Sequence, residues 1–324
     1  MKAIERSRYG PPDVLRIVDV AMPEPADDQL LVRVLAASLN AVDLDYLYGR
    51  PRFARLFYGM GRPRVARLGV DVAGRVEAIG PKVTSFQPGD EVYGDLSAYG
   101  LGGFAEYVCA RARAFAPKPP TLTMDEAAAI PQAAILALQG LRRGESIRPG
   151  DKVLINGASG NVGPFAVQIA KAVGAEVTGV CRAEKMDFVR SLGADHVIDY
   201  GVADVTRGRE RYDWILDVVG RKSIFAWRHA LRPGGVYVSL GGATAPMLQA
   251  LALGPLISRF GSRKAGLMWW WKPFRREDVA LLEQLIADGK IAPIIDRRYP
   301  LDEVREGLAY LDAGLARGKV VITA

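Results

Sequence analysis

The chain has 324 residues, 49% of them hydrophobic and 24% charged, with a formal net charge of +7. That length suggests about two domains, and the composition excludes a disordered or fibrous chain. No apolar run reaches the ~18 residues of a membrane span; MLQALALGPLI (247–257) is the longest candidate, and Gly254 and Pro255 break it.

Residues 1 to about 120 read as all-β. MKAIERSR, VLRIVDVAM, QLLVRVLAASLN, VDVAGRVEAIG, DEVYGDL and FAEYVCARA alternate or run apolar, with turns such as YGPPD, MPEPADD and FQPGD between them. The segment RPRFARLFYGMGRPRVAR (50–67) interrupts this as a long surface loop or short helix, and long loops inside compact domains are often functional. Thr123, with Glu126 three residues on, predicts a capped helix start.

From 151 to about 242 strands and helices alternate. DKVLING, AEVTGVC, DHVIDY, YDWILDVV and GVYVSLGG are short apolar runs, and FAVQIAKAVG, KMDFVRSLG and SIFAWRHALRPGG lie between them. This alternation predicts a doubly wound parallel sheet with helices on both faces. EDVALLEQLIADGK is an amphipathic helix with Val279, Leu282 and Ile286 at helical spacing, and ARGKVVITA reads as a last strand.

The start, MKAIERSRYG, lacks the apolar core of a signal peptide. Cys109 and Cys181 stand far apart and make neither a disulfide framework nor a metal pattern, so the chain reads as soluble, reduced and cytoplasmic. Its Arg and Lys residues are scattered rather than striped, and neither a nucleic-acid nor a membrane partner is expected.

The most informative stretch is VLINGASGNVGPFAVQIAKAVGAEVTGVCRAEK (153–185). A strand runs into Gly157, Gly160 and Gly163, and Phe165, Ile169 and Val173 then mark a helix face. Gly-x-x-Gly-x-x-Gly between a strand and a helix is a variant of the dinucleotide fingerprint: glycines let the backbone approach a pyrophosphate at the positive helix end. The turn makes Gly157, Ser159, Gly160, Asn161, Val162 and Gly163 candidate cofactor ligands. The bland alternative is a tight turn in a nucleotide-free fold. At the tip of the second strand an NAD enzyme usually has Asp or Glu. This chain has Cys181-Arg182, with Lys185 a turn later, which suits the 2′-phosphate of NADP(H). The alternative is a solvated helix start, and Glu184 lies between the two cations.

INGASGNVGPFAVQIAKAVGAEV, SLGADHVIDY, LDVVG and a closing GKVVIT, after a β-rich first domain, resemble the medium-chain dehydrogenase/reductase superfamily. ASLNAVDLDYLYG, LGVDVAGRVEAIG and PGDEVYGDL are similar to its zinc-free quinone oxidoreductase-like branch. The resemblance covers nearly the whole chain. It implies a GroES-like β-rich catalytic domain (1–122 and 273–324) and a Rossmann NADP(H)-binding domain (123–272). It also implies hydride transfer from NADPH to a quinone or an α,β-unsaturated ketone.

Where the family's zinc enzymes carry Cys this chain has Asn40, and where they carry Gly-His-Glu it has Gly69-Val70-Asp71. Its two histidines, His196 and His229, read as surface or helix-end residues, so no metal is expected. The resemblance assigns Asn40 and Asp43 to the substrate cleft, Asp43 also being open to a loop-shaping role. It assigns Lys185 and Tyr200 to the 2′-phosphate and adenosine end, and the Asp217–Gly220 turn with Val219 to the fourth strand. Gly241 and Gly242 fall near the nicotinamide, and Arg317–Lys319 on a segment closing over the cofactor through backbone groups. Tyr46, Tyr48 and Tyr99 are proton-donor candidates or packed aromatics. Leu136 stands where the family commonly has Thr facing the nicotinamide amide. GLMWWWKP (266–273) falls on the last strand of the second domain, an edge strand that would pair with its twin in a homodimer across 264–272. Trp269 and Trp271 would share one face and Trp270 the other. Residues 244–265 could form a lid. Alternative readings are a biosynthetic enzyme acting on a bulky substrate and a non-catalytic NADPH-binding protein.

Overall fold

Contacts divide the chain into two compact units, Met1–Ile135 with Pro273–Glu283 and Pro293–Ala324, and Leu136–Lys272 with Gln284–Ala292. The structure, a computed structural model, describes residues 1–143, 145–268 and 271–323.

In chain order the first unit holds β1 (Lys2–Arg6), β2 (Leu15–Asp19), β3 (Gln29–Leu39), α1 (Ala41–Tyr48), α2 (Arg55–Tyr58), β4 (Asp71–Ile79), β5 (Glu91–Asp95), β6 (Tyr107–Arg111) and β7 (Phe115–Pro117). Helices α3 (Met124–Ala128) and α4 (Pro131–Gly140) follow. Thr123 Oγ1 accepts the Glu126 N–H at 3.3 Å and Glu126 Oε2 accepts the Thr123 N–H at 2.8 Å, the capping box the sequence predicts.

The second unit alternates β8 (Lys152–Asn156), α5 (Gly163–Val173), β9 (Glu176–Cys181), α6 (Met186–Ser191), β10 (His196–Asp199), β11 (Tyr212–Asp217), α7 (Ile224–Ala230), β12 (Leu231–Ser239), α8 (Thr244–Phe260) and β13 (Lys264–Leu267). The chain ends with α9 (Arg276–Ala287), β14 (Ile295–Pro300), α10 (Val304–Asp312) and β15 (Lys319–Thr323).

The first unit's main sheet runs β14-β15-β3-β4-β5-β7, with β6 also paired to β3. Its pairs are antiparallel except β14 with β15. β3 is the organising strand: different parts of its eleven residues meet β4, β6 and β15. Its apolar run is largely buried, with Arg33 exposed. Leu30, Val32, Val72, Phe104, Val320 and Ile322 form the centre of the core. The short β7, and β14 with α10, lie outside the elements read from sequence.

The second unit's sheet is parallel throughout, in the order β10-β9-β8-β11-β12-β13. The order reverses between β8 and β11, and in such sheets a dinucleotide lies outside the strand ends at that reversal. Phe165 and Ile169 on α5 are buried, as their helical spacing requires. β13 is an outer strand bonded to β12 alone among the described residues. Strand structure covers 264–267 of the expected 264–272; Trp269 and Trp270 lie outside the described residues, and Trp271 is outside any strand. Residues 244–260 are a helix, α8, packed on β13. A Cβ at its Gly254 would come within 2.6 Å of the Ala265 carbonyl oxygen.

Candidate active site

The glycine turn leaves β8 at Gly157, whose φ of +91° suits a residue without a Cβ. The Gly157 and Ala158 N–H groups donate to the Val180 carbonyl at 3.0 and 3.1 Å, which ties the turn to β9. A Cβ at Gly163 would lie 2.2 Å from the Gly157 carbonyl oxygen, so that glycine lets α5 start against the turn. Gly160 differs: its Cβ would meet nothing nearer than 3.7 Å. The turn is packed beneath and open above Gly160, a cradle a phosphate can approach at a helix N-terminus. Ser159 and Val162 are buried and Asn161 half-buried.

Asp217 shapes the neighbouring turn. Its fully buried Oδ1 accepts from Asn156 Nδ2 at 2.7 Å, Val219 N at 3.1 Å and Gly220 N at 2.9 Å, and its Oδ2 accepts from Tyr237 OH at 3.0 Å. One carboxyl group therefore joins the ends of β8 and β11 at the strand-order reversal. Gly220 has φ +59°, and a Cβ there would fall 1.6 Å from the Gly241 carbonyl oxygen. A Cβ on Gly242 would fall 2.4 Å from that of Val219. The two turns meet backbone to backbone, which brings Val219, Gly241 and Gly242 together.

At the tip of β9 no acid side chain replaces the buried Cys181. Arg182 is exposed, and its Nε donates to Tyr200 OH at 2.7 Å; Nη1 lies 3.8 Å from Glu184. Lys185, expected beside it, is instead buried at 5% exposure. Of the two cations Arg182 is the one presented, with Tyr200. These residues fit NADP(H): a glycine cradle for the pyrophosphate, and a guanidinium, rather than a carboxylate, for the ribose end.

The first unit contains a different kind of site. Asn40, Asp43, Asp71, Asp95 and Lys319 are all buried, at 0 to 2% exposure. Lys319 Nζ donates to Asn40 Oδ1 at 2.7 Å and lies 3.5 Å from Asp71 Oδ2. Asn40 Nδ2 donates to Asp71 Oδ2 at 2.9 Å and to the Ser38 carbonyl at 3.2 Å. Asp71 Oδ2 also accepts from Ser38 Oγ at 3.1 Å, and its Oδ1 from the Gln132 N–H at 3.1 Å. Asp43 accepts the Asn40 N–H at 2.9 Å and the Gly69 N–H at 3.2 Å. Burial pushes the Asp43 carboxyl up to about 8, with the charge of Asp71 adding and the two N–H donors opposing. Burial and then the Asp71 charge raise Asp95 to about 7. Burial raises Asp71, opposed by Lys319, and lowers Lys319, opposed by Asp71.

Asn40 and Asp43 thus sit inside the fold, and Asp43 takes the loop-shaping role: it anchors the start of α1 and the Gly69 turn. Lys319 has a further role that its place on the closing segment does not suggest. Its N–H donates to the Ile294 carbonyl at 2.8 Å and its ammonium turns into the cluster, because a lysine on this inner strand position faces two buried acceptors. Tyr46 is half-buried, edge-on to Tyr58 at 4.9 Å between centroids. Tyr99 is half-buried under the Arg113 guanidinium at 5.3 Å, and Tyr48 OH donates to Asp312 at 2.6 Å. Each of the three tyrosines has its own partner. His196 pairs with Glu176 at 2.9 Å on the surface, and His229 is exposed near the end of α7. Among the described residues no group of three or more His, Cys, Asp or Glu side chains could hold a metal ion.

Two families match the chain: one described as alcohol dehydrogenase GroES-like domain over residues 26–120, the other as zinc-binding dehydrogenase over residues 192–322. The chain is 32% identical to a chloroplastic quinone-oxidoreductase homolog of Spinacia oleracea, over 99% of this chain and 98% of that protein. It is also 32% identical to a chloroplastic NADPH-dependent alkenal/one oxidoreductase of Arabidopsis thaliana, over 99% and 79%. The Escherichia coli quinone oxidoreductase solved with NADPH is 25% identical, with a TM-score of 0.86 and 100% of both chains covered.

Proposed function

From the chain's membership of the medium-chain dehydrogenase/reductase superfamily, in the quinone oxidoreductase-like branch, we propose an NADPH-dependent reductase that acts on a quinone or an α,β-unsaturated ketone. The observation that carries this reading is the glycine cradle with Arg182 and Tyr200, and no acid, at the tip of β9. The cofactor supplies the hydride. The chain's own residues bind and orient it: the 157–163 turn receives the pyrophosphate, Arg182 the 2′-phosphate, and Val219 with Gly241 and Gly242 border the nicotinamide end.

The charge that develops on the acceptor oxygen needs a proton from water or a phenol. Tyr46 is a candidate for that phenol; burial raises its pKa above the ordinary value, which keeps it protonated but makes it a weaker acid than a solvated tyrosine. The zinc-independent form of the reaction is supported by donor chemistry. Asn40 and Val70 are not zinc ligands, and an ammonium lies between Asn40 and Asp71. We further propose a cytoplasmic enzyme and a homodimer joined along β13, which among the described residues is an outer strand that a twin could extend.

The test is a binding titration of the full chain with NADPH and NADH. At least about tenfold tighter binding of NADPH supports the reading, on the scale of one charge-assisted contact; equal binding contradicts it.

A further inference from the structure

The segment 50–67 reaches the first unit's site through Tyr58, which packs edge-on against Tyr46, but the rest of it has no role in the reaction above, and its chemistry is unusual. It carries six arginines, Arg50, Arg52, Arg55, Arg62, Arg64 and Arg67, and no acidic residue. Between them Leu56, Phe57 and Met60 are 61, 71 and 72% exposed. An isolated exposed apolar side chain is ordinary, but three bulky ones within five residues, on a segment that also exposes Arg52, Arg62 and Arg64, are not.

The display is built rather than loose. Tyr9 OH donates to the Tyr58 and Gly59 carbonyls at 3.0 and 2.8 Å. Arg55 donates to the Tyr48 and Gly49 carbonyls at 2.7 and 3.1 Å, and Arg6 Nη2 to that of Val65 at 3.3 Å. The chain reverses at Gly59, φ +110°, where a Cβ would lie 2.0 Å from the Arg62 carbonyl oxygen. The Arg64 N–H closes the reversal on the Tyr58 carbonyl at 2.7 Å. Phe57 and Met60 flank it and point outward, while Arg52, Arg62 and Arg64 are exposed beside them.

We propose that this segment is a peripheral attachment site for an anionic lipid surface. Exposed aromatic and aliphatic side chains enter the headgroup–acyl boundary, and arginines meet the lipid phosphates. A second copy of the chain is the poorer occupant: the segment carries no acid of its own, Glu5 already pairs with Arg67 at 3.5 Å, and two such segments would bring the exposed Arg52, Arg62 and Arg64 against their like. No helix among the described residues is long and apolar enough to cross a membrane, so the contact is interfacial. The inference stands apart from the identity of the acceptor, although a lipid-soluble one would be concentrated at such a surface.

The experiment is flotation of the full chain with phosphatidylcholine vesicles and with phosphatidylcholine–phosphatidylglycerol vesicles, at low and high salt. Binding to the mixed vesicles, weakened by salt and absent on the neutral ones, is expected. Phe57→Ser with Met60→Ser weakens it at least about tenfold. Arg52→Gln with Arg62→Gln and Arg64→Gln removes the salt-sensitive part. NADPH affinity and melting temperature stay at the parent values in both, which shows that folding and the cofactor site are intact. No binding to anionic vesicles overturns the proposal, as does parent-like binding by both variants. Loss of self-association in Phe57→Ser/Met60→Ser with unchanged vesicle binding assigns the patch to a second copy and also overturns it.

Discussion

The ammonium of Lys319 lies 2.7 Å from Oδ1 of Asn40 across 279 residues of sequence, and both side chains are buried. With Asp71 they form a closed set in which a buried cation and a buried carboxylate justify each other. Removing one member strands the other. Lys319→Met should lower the unfolding free energy by ~3–5 kcal/mol, read as a shift of the denaturant midpoint. Parent-like stability would show that the cluster is not held as described.

The pH dependence of stability follows from the same cluster. Asp95 is raised from 3.8 to about 7 and Asp43 from 3.8 to about 8, so the folded state holds each proton more tightly than the unfolded chain. Their contribution is complete below 3.8 and is lost as pH rises through about 7 and about 8. Asp95 Oδ2 is buried without a hydrogen-bond partner, which also disfavours the charged form. Asp95→Asn fixes the neutral form. It should match the parent near pH ~4 and exceed it by about 1 kcal/mol or more near pH ~8. Parallel stability curves would contradict this.

Gly160→Ala separates packing from binding. The new methyl enters space where the nearest protein atom is 3.7 Å away, so melting should be unchanged. The same methyl stands where phosphates approach, and NADPH affinity should fall about tenfold or more, on the scale of one lost phosphate contact. Gly163→Ala, with a Cβ 2.2 Å from the Gly157 carbonyl, should lose stability as well. Unchanged NADPH binding in Gly160→Ala would move the cofactor elsewhere.

Arg182→Ala should weaken NADPH about tenfold and leave NADH nearly unaffected, because the exposed guanidinium answers only the extra phosphate. Equal losses for both nucleotides would give Arg182 a structural role through its 2.7 Å bond to Tyr200.

Local chemistry was legible in the sequence where a pattern lies within one turn of chain. The 157–163 turn, the Thr123 capping box and the apolar face of α5 each depend on neighbours a few residues away. The buried cluster was not legible in the same way. Lys319 opens a strand, KVVIT, where a charged residue ordinarily faces solvent. Its acceptor, Asn40, comes from the other end of the sequence, and only the β15–β3 pairing brings them together. Lys185 reads from the sequence as a second cation for the 2′-phosphate, and its burial depends on packing that the sequence does not display. The Arg-rich segment stands out in the sequence, but its meaning depends on which side chains are exposed. A chain without a spanning helix can still meet a membrane at its interface.

The most direct test of the central claim is the loss of reduced-nicotinamide absorbance when the enzyme meets a panel of quinones and enones, with NADPH and NADH in parallel. Turnover with NADPH, and much less with NADH, is the predicted result. A chain that binds NADPH yet oxidises it with no acceptor in the panel would contradict the reductase assignment.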